Sequence, residues 1–310
     1  MKGAVITGPT GAVGTALIES LIENGVNVLA VTRRNTKRLS NIPKSDLVRT
    51  VELDLSELKE LPEIVSSLPG EYDAFYHLGW ADTFGEDARN DVRSQLMNVG
   101  YSVDAIEAAA KIGAKTFIGA GSQAEYGRHE GALSEKTPCF PENGYGIAKL
   151  AANEFTRLRA SQLHIKHIWV RILSVYGPCD GKGTMIMSAI RTLLDGERPS
   201  LTKGEQLWDY LYSKDAGRAL YLLGEKGKDQ KTYCLGSGTK RPLREYMEEL
   251  RDAIDTSLPL GIGERPYSKN QVMSLFADIS ALTEDTGFVP SYSFSEGIKE
   301  TIDWVRKESS

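Results

Sequence analysis

The chain has 310 residues, 41% of them hydrophobic and 25% charged; these globular values exclude a disordered chain, and at about 150 residues per domain they point to two domains. A formal charge of −5 argues against a dedicated nucleic-acid binder, which carries a basic stripe, and no apolar run reaches the roughly 18 residues of a membrane helix. Glycine is the outlier, 30 of 310 residues or about 10% against an average near 7%, with no collagen period and no linker to account for it.

In chain order, the apolar run at 4–7 predicts a first strand and 11–24 a first helix. Further strands are expected at 26–32, 47–53, 74–78, 116–120 and 168–173, with helices at 58–68, 88–112 and 145–163 between them. The strands are almost continuously apolar, as in a parallel sheet covered by helices on both faces, so residues 1–178 read as a doubly wound α/β domain. Beyond Pro178 the rhythm becomes mixed, with helices at 185–194, 215–223, 242–254 and 296–306 and short strands at 206–212 and 232–235. Residues 179–310 are therefore expected to form a smaller lobe, some segments of which return to the first domain. The N-terminal apolar run is too short for a signal peptide, and Cys139, Cys179 and Cys234 lack zinc spacing. Free thiols in a cytoplasmic protein, with no metal site, are the expectation.

The first strand runs into Gly8-Pro9-Thr10-Gly11-Ala12-Val13-Gly14 and then a helix. Glycines at this spacing allow a tight turn and let backbone N–H groups approach a pyrophosphate at a helix N-terminus. Gly8, Thr10, Gly11, Ala12 and Val13 are the candidate contacts of a dinucleotide. An acid after the second strand would hold a ribose 2′-hydroxyl, whereas arginine suits a 2′-phosphate. Thr32-Arg33-Arg34 stands there, so NADP(H) is favoured over NAD(H), with Arg33 first and Arg34 next. Asp54, before Leu55, either accepts from the adenine amino group or caps a turn with Glu57.

Tyr145 and Lys149 are four apart on an expected helix and share one face. A nearby ammonium lowers the phenol pKa from about 10, which would fit the tyrosine for proton transfer at a carbonyl or carbinol oxygen. Ser122, at the end of the fifth strand, lies on the edge where doubly wound sheets bind ligands and could donate to the same oxygen.

With the glycine turn, Asp54-Leu55, His77-Leu78-Gly79, the Ser122 segment and Tyr145…Lys149, the chain resembles the extended short-chain dehydrogenase/reductase family, in particular its nucleotide-sugar epimerase/dehydratase branch. The likeness continues through Arg171–Pro178, Trp208–Asp215 and Gly263–Pro266. It implies a Rossmann-like domain with a C-terminal sugar-nucleotide lobe, a cofactor touched by Leu78 and Gly79 as well as the glycine turn, and a nucleotide-diphosphate sugar as substrate. It further implies that Tyr145 exchanges the proton, Lys149 holds the nicotinamide ribose and Ser122 polarises the carbonyl. Asn98 matches an asparagine of a proton relay, although an asparagine tolerated inside a helix reads equally well. A homodimer through the 88–112 and 145–163 helices is common in relatives.

Three positions depart from the pattern. Dehydratases of the branch carry Thr-Asp-Glu where Ser122-Gln123-Ala124 stands, so the acid and base that eliminate water are missing. Ser174 replaces an asparagine, and Trp208 replaces an arginine that clamps the diphosphate, leaving Arg265 as the first candidate clamp, followed by Arg191, Arg198 and Lys203. Trp208 either stacks on the ligand or packs the lobe. The reading is an NADPH-dependent reductase of a 4-keto nucleotide sugar, with an NAD-dependent 4-epimerase as the alternative. A non-catalytic dinucleotide sensor would have no need of the intact Ser122, Tyr145 and Lys149.

Overall fold

The computed structural model describes residues 1–83 and 85–308. β1 (Gly3–Thr7), buried at every position, turns through the glycines into α1 (Ala12–Glu23). β2 (Asn27–Thr32) and β3 (Val48–Glu52) follow, each within two residues of the expected bounds. The helix expected at 58–68 divides into a 3₁₀ segment, Leu55–Glu60, and α2 (Leu61–Ser66), where Pro62 starts a new helix rather than continuing the old one. β4 (Ala74–His77) leads to α3 (Glu86–Asn90) and α4 (Val92–Ile112). These two were expected as one helix. Asp91 breaks it by turning its carboxylate onto the N–H groups of Arg93 and Ser94, at 2.9 and 3.0 Å, as an N-cap.

β5 (Thr116–Ser122), α5 (Gly144–Leu163) and β6 (Lys166–Ile172) complete the first half. β7 (Ser174–Tyr176), α6 (Met185–Leu194) and β8 (Ser200–Leu201) begin the second. The strand expected at 206–212 is split into β9 (Leu207–Trp208) and β10 (Tyr210–Tyr212) by Asp209. That carboxylate is fully buried and accepts the N–H groups of Ser237, Gly238 and Ala277 at 2.8, 3.1 and 3.1 Å. Remote backbone donors thus hold the bend. α7 (Ser213–Lys226), β11 (Lys231–Leu235), β12 (Arg241–Pro242), α8 (Leu243–Ile254), β13 (Gly261–Ile262), β14 (Ser274–Leu275), α9 (Ser280–Thr286) and α10 (Phe294–Glu308) follow.

One sheet of seven strands, order β11-β6-β5-β4-β1-β2-β3, dominates the molecule, and every pairing in it is parallel. Its order reverses beside β1, so the loops after β1 and β4 open a crevice at the C-terminal edge. Helices cover both faces. Ile6, Val28 and Tyr76 pack with Leu17 of α1 and Leu220 of α7 on one side; Val5, Leu29, Phe75 and Phe117 pack with Ile106 of α4 on the other. The remaining segments form a lobe with its own core of Tyr176, Ile190, Tyr212, Tyr246 and Ile302. β9, β12 and β14 form a small sheet there, with β9 bringing Trp208 opposite Arg241. Although it lies late in the chain, β11 is the outermost strand of the large sheet, beside β6. Among the described residues no helix is long and apolar enough to cross a membrane.

α7 packs directly on α1 at Gly217. A Cβ there would lie 2.3 Å from the Ala16 carbonyl oxygen and 2.7 Å from the Leu17 nitrogen. Backbone cannot swing aside as a side chain can, so Gly217→Ala must part the two helices. Thermal or urea unfolding is expected to show a loss of about 1–3 kcal/mol, the usual cost of overpacking; an unchanged melt would contradict this packing.

Candidate active site

The site begins where β5 ends. Ser122 is buried and extended, and its N–H donates to Oε1 of Glu125 at 2.9 Å while its Oγ accepts the N–H of Ala124 at 3.2 Å. This reciprocal capping box fixes the serine. Glu125 has no exposed surface; its Oε1 also accepts from the Trp169 indole at 3.0 Å, and its Oε2 accepts from Nε of Arg171 at 2.7 Å. Arg171 donates onward to the Tyr126 hydroxyl at 3.1 Å. None of these partners was singled out in the sequence as acting together. A charge inside the apolar β6 run, three residues of turn and a Ser-x-x-Glu spacing were the available signals.

Two glycines make room for this network. A Cβ on Gly119 would lie 2.3 Å from the Trp169 ring, and one on Gly121 2.3 Å from its indole nitrogen. Trp169 therefore lies flat across β5, continuing a row of stacked rings from Phe117 through His167.

α5 brings Tyr145 and Lys149 to the same place. Asn143 caps the helix by accepting the Gly146 N–H at 2.8 Å, and a Cβ on Gly146 would strike the Ala124 carbonyl at 2.2 Å, so helix and serine turn touch. Burial pushes the Tyr145 phenol pKa up, opposed by Ser122 and by Arg89, whose guanidinium stands 4.5 Å from the ring centroid. Lys149 stands farther from that ring than Arg89 does. Its Nζ donates to the Ala120 carbonyl at 2.7 Å and lies 3.7 Å over the Trp80 ring, 5.7 Å from the Tyr145 centroid. Burial pushes Lys149 down to about 7.

Both ends of the Asn98 amide are taken by Ala81, whose N–H donates to Oδ1 at 2.9 Å and whose carbonyl accepts from Nδ2 at 3.0 Å. With Gln95, which accepts the Trp80 indole N–H at 2.9 Å, it pins the loop after β4 to α4. His77, between Thr7 at 2.9 Å and Ser102 at 3.2 Å, is held neutral by burial, its pKa lowered to about 3.

A cavity of about 450 Å³ runs along the sheet edge, lined by Gly8, Thr10, Thr32, Arg33, Arg38, Leu55, Gly79 and Trp80 among others. Gly8 has φ +71 and abuts Gly79; a Cβ would lie 2.8 Å from the Gly79 nitrogen. At Gly11 a Cβ would meet nothing within 4 Å, so packing gives no reason for glycine, whereas close approach of a ligand to the α1 N-terminus does. Ala12 and Val13 open that helix, and Leu78 donates its N–H to Thr7 at 3.2 Å, holding the β4 end beside the turn. These residues fit a dinucleotide. Arg33 is exposed at the cavity wall, but Arg34 is bound to Glu57 at 3.0 Å, and Arg38 takes the wall position instead while donating to the Cys179 carbonyl. Asp54 forms the capping box with Glu57.

A second cavity, about 590 Å³, lies in the lobe between α6, α8 and the 262–271 segment, with Trp208, Arg265 and Gln206 in its wall. Ser174 and Trp208, the two positions that depart from the pattern, are bonded to each other, the indole N–H donating to Oγ at 2.8 Å. Arg191 and Arg198 are paired with Glu308 and Glu264; among the described residues Arg265 has no ion pair. The cysteines are free, and no cluster among the described residues could hold a metal.

The buried Lys149 has a measurable signature. Its ammonium is lost near neutrality in the folded chain but persists to about pH 10.4 in the unfolded one. Burying the charge costs stability below about pH 7, and that cost fades as pH rises toward the unfolded value. Lys149→Met is expected to raise the melting temperature most near pH 6 and progressively less toward about pH 9; a constant difference would contradict the assignment.

The model of the NAD dependent epimerase/dehydratase family matches residues 4–236. A putative UDP-glucose 4-epimerase of Methanocaldococcus jannaschii is 24% identical over 98% of this chain and 99% of its own. The dTDP-4-dehydro-6-deoxyglucose reductase of Escherichia coli is 24% identical over 98% of both chains. In structure, the UDP-glucose 4-epimerase of Thermotoga maritima superposes with a TM-score of 0.85 at 24% identity, covering 99% of this chain and 100% of that one. Sheet, glycine turn, serine turn and the tyrosine–lysine helix agree with that match: the chain belongs to the NAD dependent epimerase/dehydratase family, the nucleotide-sugar branch of the extended short-chain dehydrogenases/reductases.

Proposed function

We propose that the chain is an NADPH-dependent reductase of a 4-keto nucleotide sugar. The observation that carries this reading is the basic end of the cofactor cavity. Arg33 and Arg38 line it with Thr32 and Thr36, and no acid follows β2 to hold a ribose hydroxyl. Arg33 has no ion pair among the described residues and is available to a 2′-phosphate. A dissociable NADPH suits a reductase, which consumes it each turnover, better than an epimerase, which retains its cofactor.

A bound nicotinamide supplies the hydride. Ser122 holds the substrate oxygen, and Tyr145 gives it a proton. The raised phenol pKa keeps the tyrosine protonated at neutral pH, the state that reduction uses. Lys149, held now by Ala120 and Trp80, would hold the nicotinamide ribose. The nucleotide sugar occupies the lobe cavity, with Trp208 as a stacking face and Arg265 for the diphosphate. Elimination of water has no agent here, because Gln123 and Ala124 are uncharged and the Glu125 carboxylate is fully engaged. A second reading, a 4-epimerase that retains NAD(H), is supported by the UDP-glucose 4-epimerases among the relatives.

The test is a panel of nucleotide sugars and their 4-keto forms with NADPH and NADH. Reduction with NADPH is expected, and Arg33→Ala should raise KM for NADPH about tenfold or more while leaving NADH nearly unchanged, the loss of a charge-assisted contact. Purified protein that retains NAD⁺ and epimerises a sugar without net NADPH use would establish the epimerase instead.

We also propose a homodimer across α4 and α5. Leu96, Met97, Phe155 and Leu158 expose 63, 51, 56 and 57% of their surfaces on these adjacent helices, a clustering of apolar groups unusual for a monomer. Leu96→Asp with Phe155→Asp is expected to give a folded monomer in light scattering; a wild-type monomer would contradict the proposal.

A further inference from the structure

Arg89 belongs to none of the motifs legible in the sequence, yet it is the cation nearest the Tyr145 ring among those described, 4.5 Å from the centroid against 5.7 Å for Lys149. Its placement follows from local structure. α3 stops at Asn90 because Asp91 caps α4, and Asn90 Oδ1 accepts the Gly144 N–H at 3.2 Å at the start of α5. A Cβ on Gly144 would lie 3.0 Å from the Arg89 carbonyl, so α3 rests against the very turn that carries Tyr145.

The charges around the phenol are few. Glu125, from the turn after β5, is paired with Arg171 at 2.7 Å and still disfavours the phenolate. Lys149, on α5, is directed to Ala120 and Trp80. Asp91, next to α3, is turned to the N–H groups of Arg93 and Ser94. Among the described residues Arg89 forms no ion pair, and its Nε is buried with no hydrogen-bond partner. A cation within about 6 Å of an aromatic face is attracted to it and favours an anion formed there, and Arg89 stands nearer that face than Lys149.

We propose that Arg89 is a positioning residue for the Tyr145 phenol: held over the ring by the docking of α3 on α5, it stabilises the phenolate left when the proton is given up, in addition to Lys149. This rests on the reading of Tyr145 as the proton carrier.

The experiment needs no substrate. Difluorotyrosine, whose phenol ionises well below that of tyrosine, is incorporated at position 145 of the full chain and titrated by fluorine NMR. The midpoint is compared in the parent, Arg89→Met and Arg89→Lys. Arg89→Met is expected to raise it by about one pH unit or more, and Arg89→Lys, which keeps the charge, by less. Arg89→Gln serves the same comparison should Arg89→Met not fold. An equal midpoint in any folded, uncharged variant overturns the proposal, as does an equal rise in Arg89→Lys, which would mark a purely structural effect. Failure of the parent reading is seen separately: Tyr145→Phe with full activity on the 4-keto panel removes the catalytic role while leaving the titration result intact.

Discussion

A carboxylate with no exposed surface holds the centre of this molecule together. Glu125 takes donors from Ser122, Trp169 and Arg171, and so joins the end of β5 to β6 beneath the reacting groups. Burying such a pair costs several kcal/mol per ion in desolvation, and breaking one by removing a partner costs about 3–5 kcal/mol. Here each carboxylate oxygen is satisfied, so the pair does not add stability as much as it specifies one arrangement. Ser122 cannot move without breaking the capping box, and Arg171 and Trp169 hold the same carboxylate in place. Gly119 and Gly121 follow from the same constraint, since a side chain on either would expel the indole.

On that base the site is assembled from pieces that lock one another. The serine turn touches α5 through Gly146, α5 receives α3 through Asn90, and the loop after β4 is tied to α4 by Gln95 and Asn98. Trp80, on that loop, then meets both Lys149 and Tyr145. On the substrate side the two departures from the family pattern are one change: with Ser174 in place of asparagine and Trp208 in place of arginine, the indole N–H finds its acceptor in the serine. A tryptophan alone would leave its N–H to be satisfied elsewhere.

The strands of the large sheet were legible because each is a buried apolar run with helix between, and the glycine turn, Ser122, Tyr145 and Lys149 were legible because fixed spacings place them. What the sequence hides depends on distant partners. Asp91 and Asp209 break elements that look continuous, and the donors for Asp209 lie 28 to 68 residues away. Asn98 shows its amide type but not that Ala81 occupies it. Lys149 shows its spacing from Tyr145 but not the direction of its ammonium, which Ala120 and Trp80 decide. Arg89 sits in an unremarkable polar stretch, and only the break at Asp91 carries it to the tyrosine.

The most direct measurement follows a single atom. NADPH deuterated at the transferred position is incubated with a 4-keto nucleotide sugar and the product is weighed by mass spectrometry. Reduction as described places one deuterium on the carbinol carbon for each NADP⁺ formed. A sugar product without deuterium, formed while NADPH is not consumed, would contradict the account.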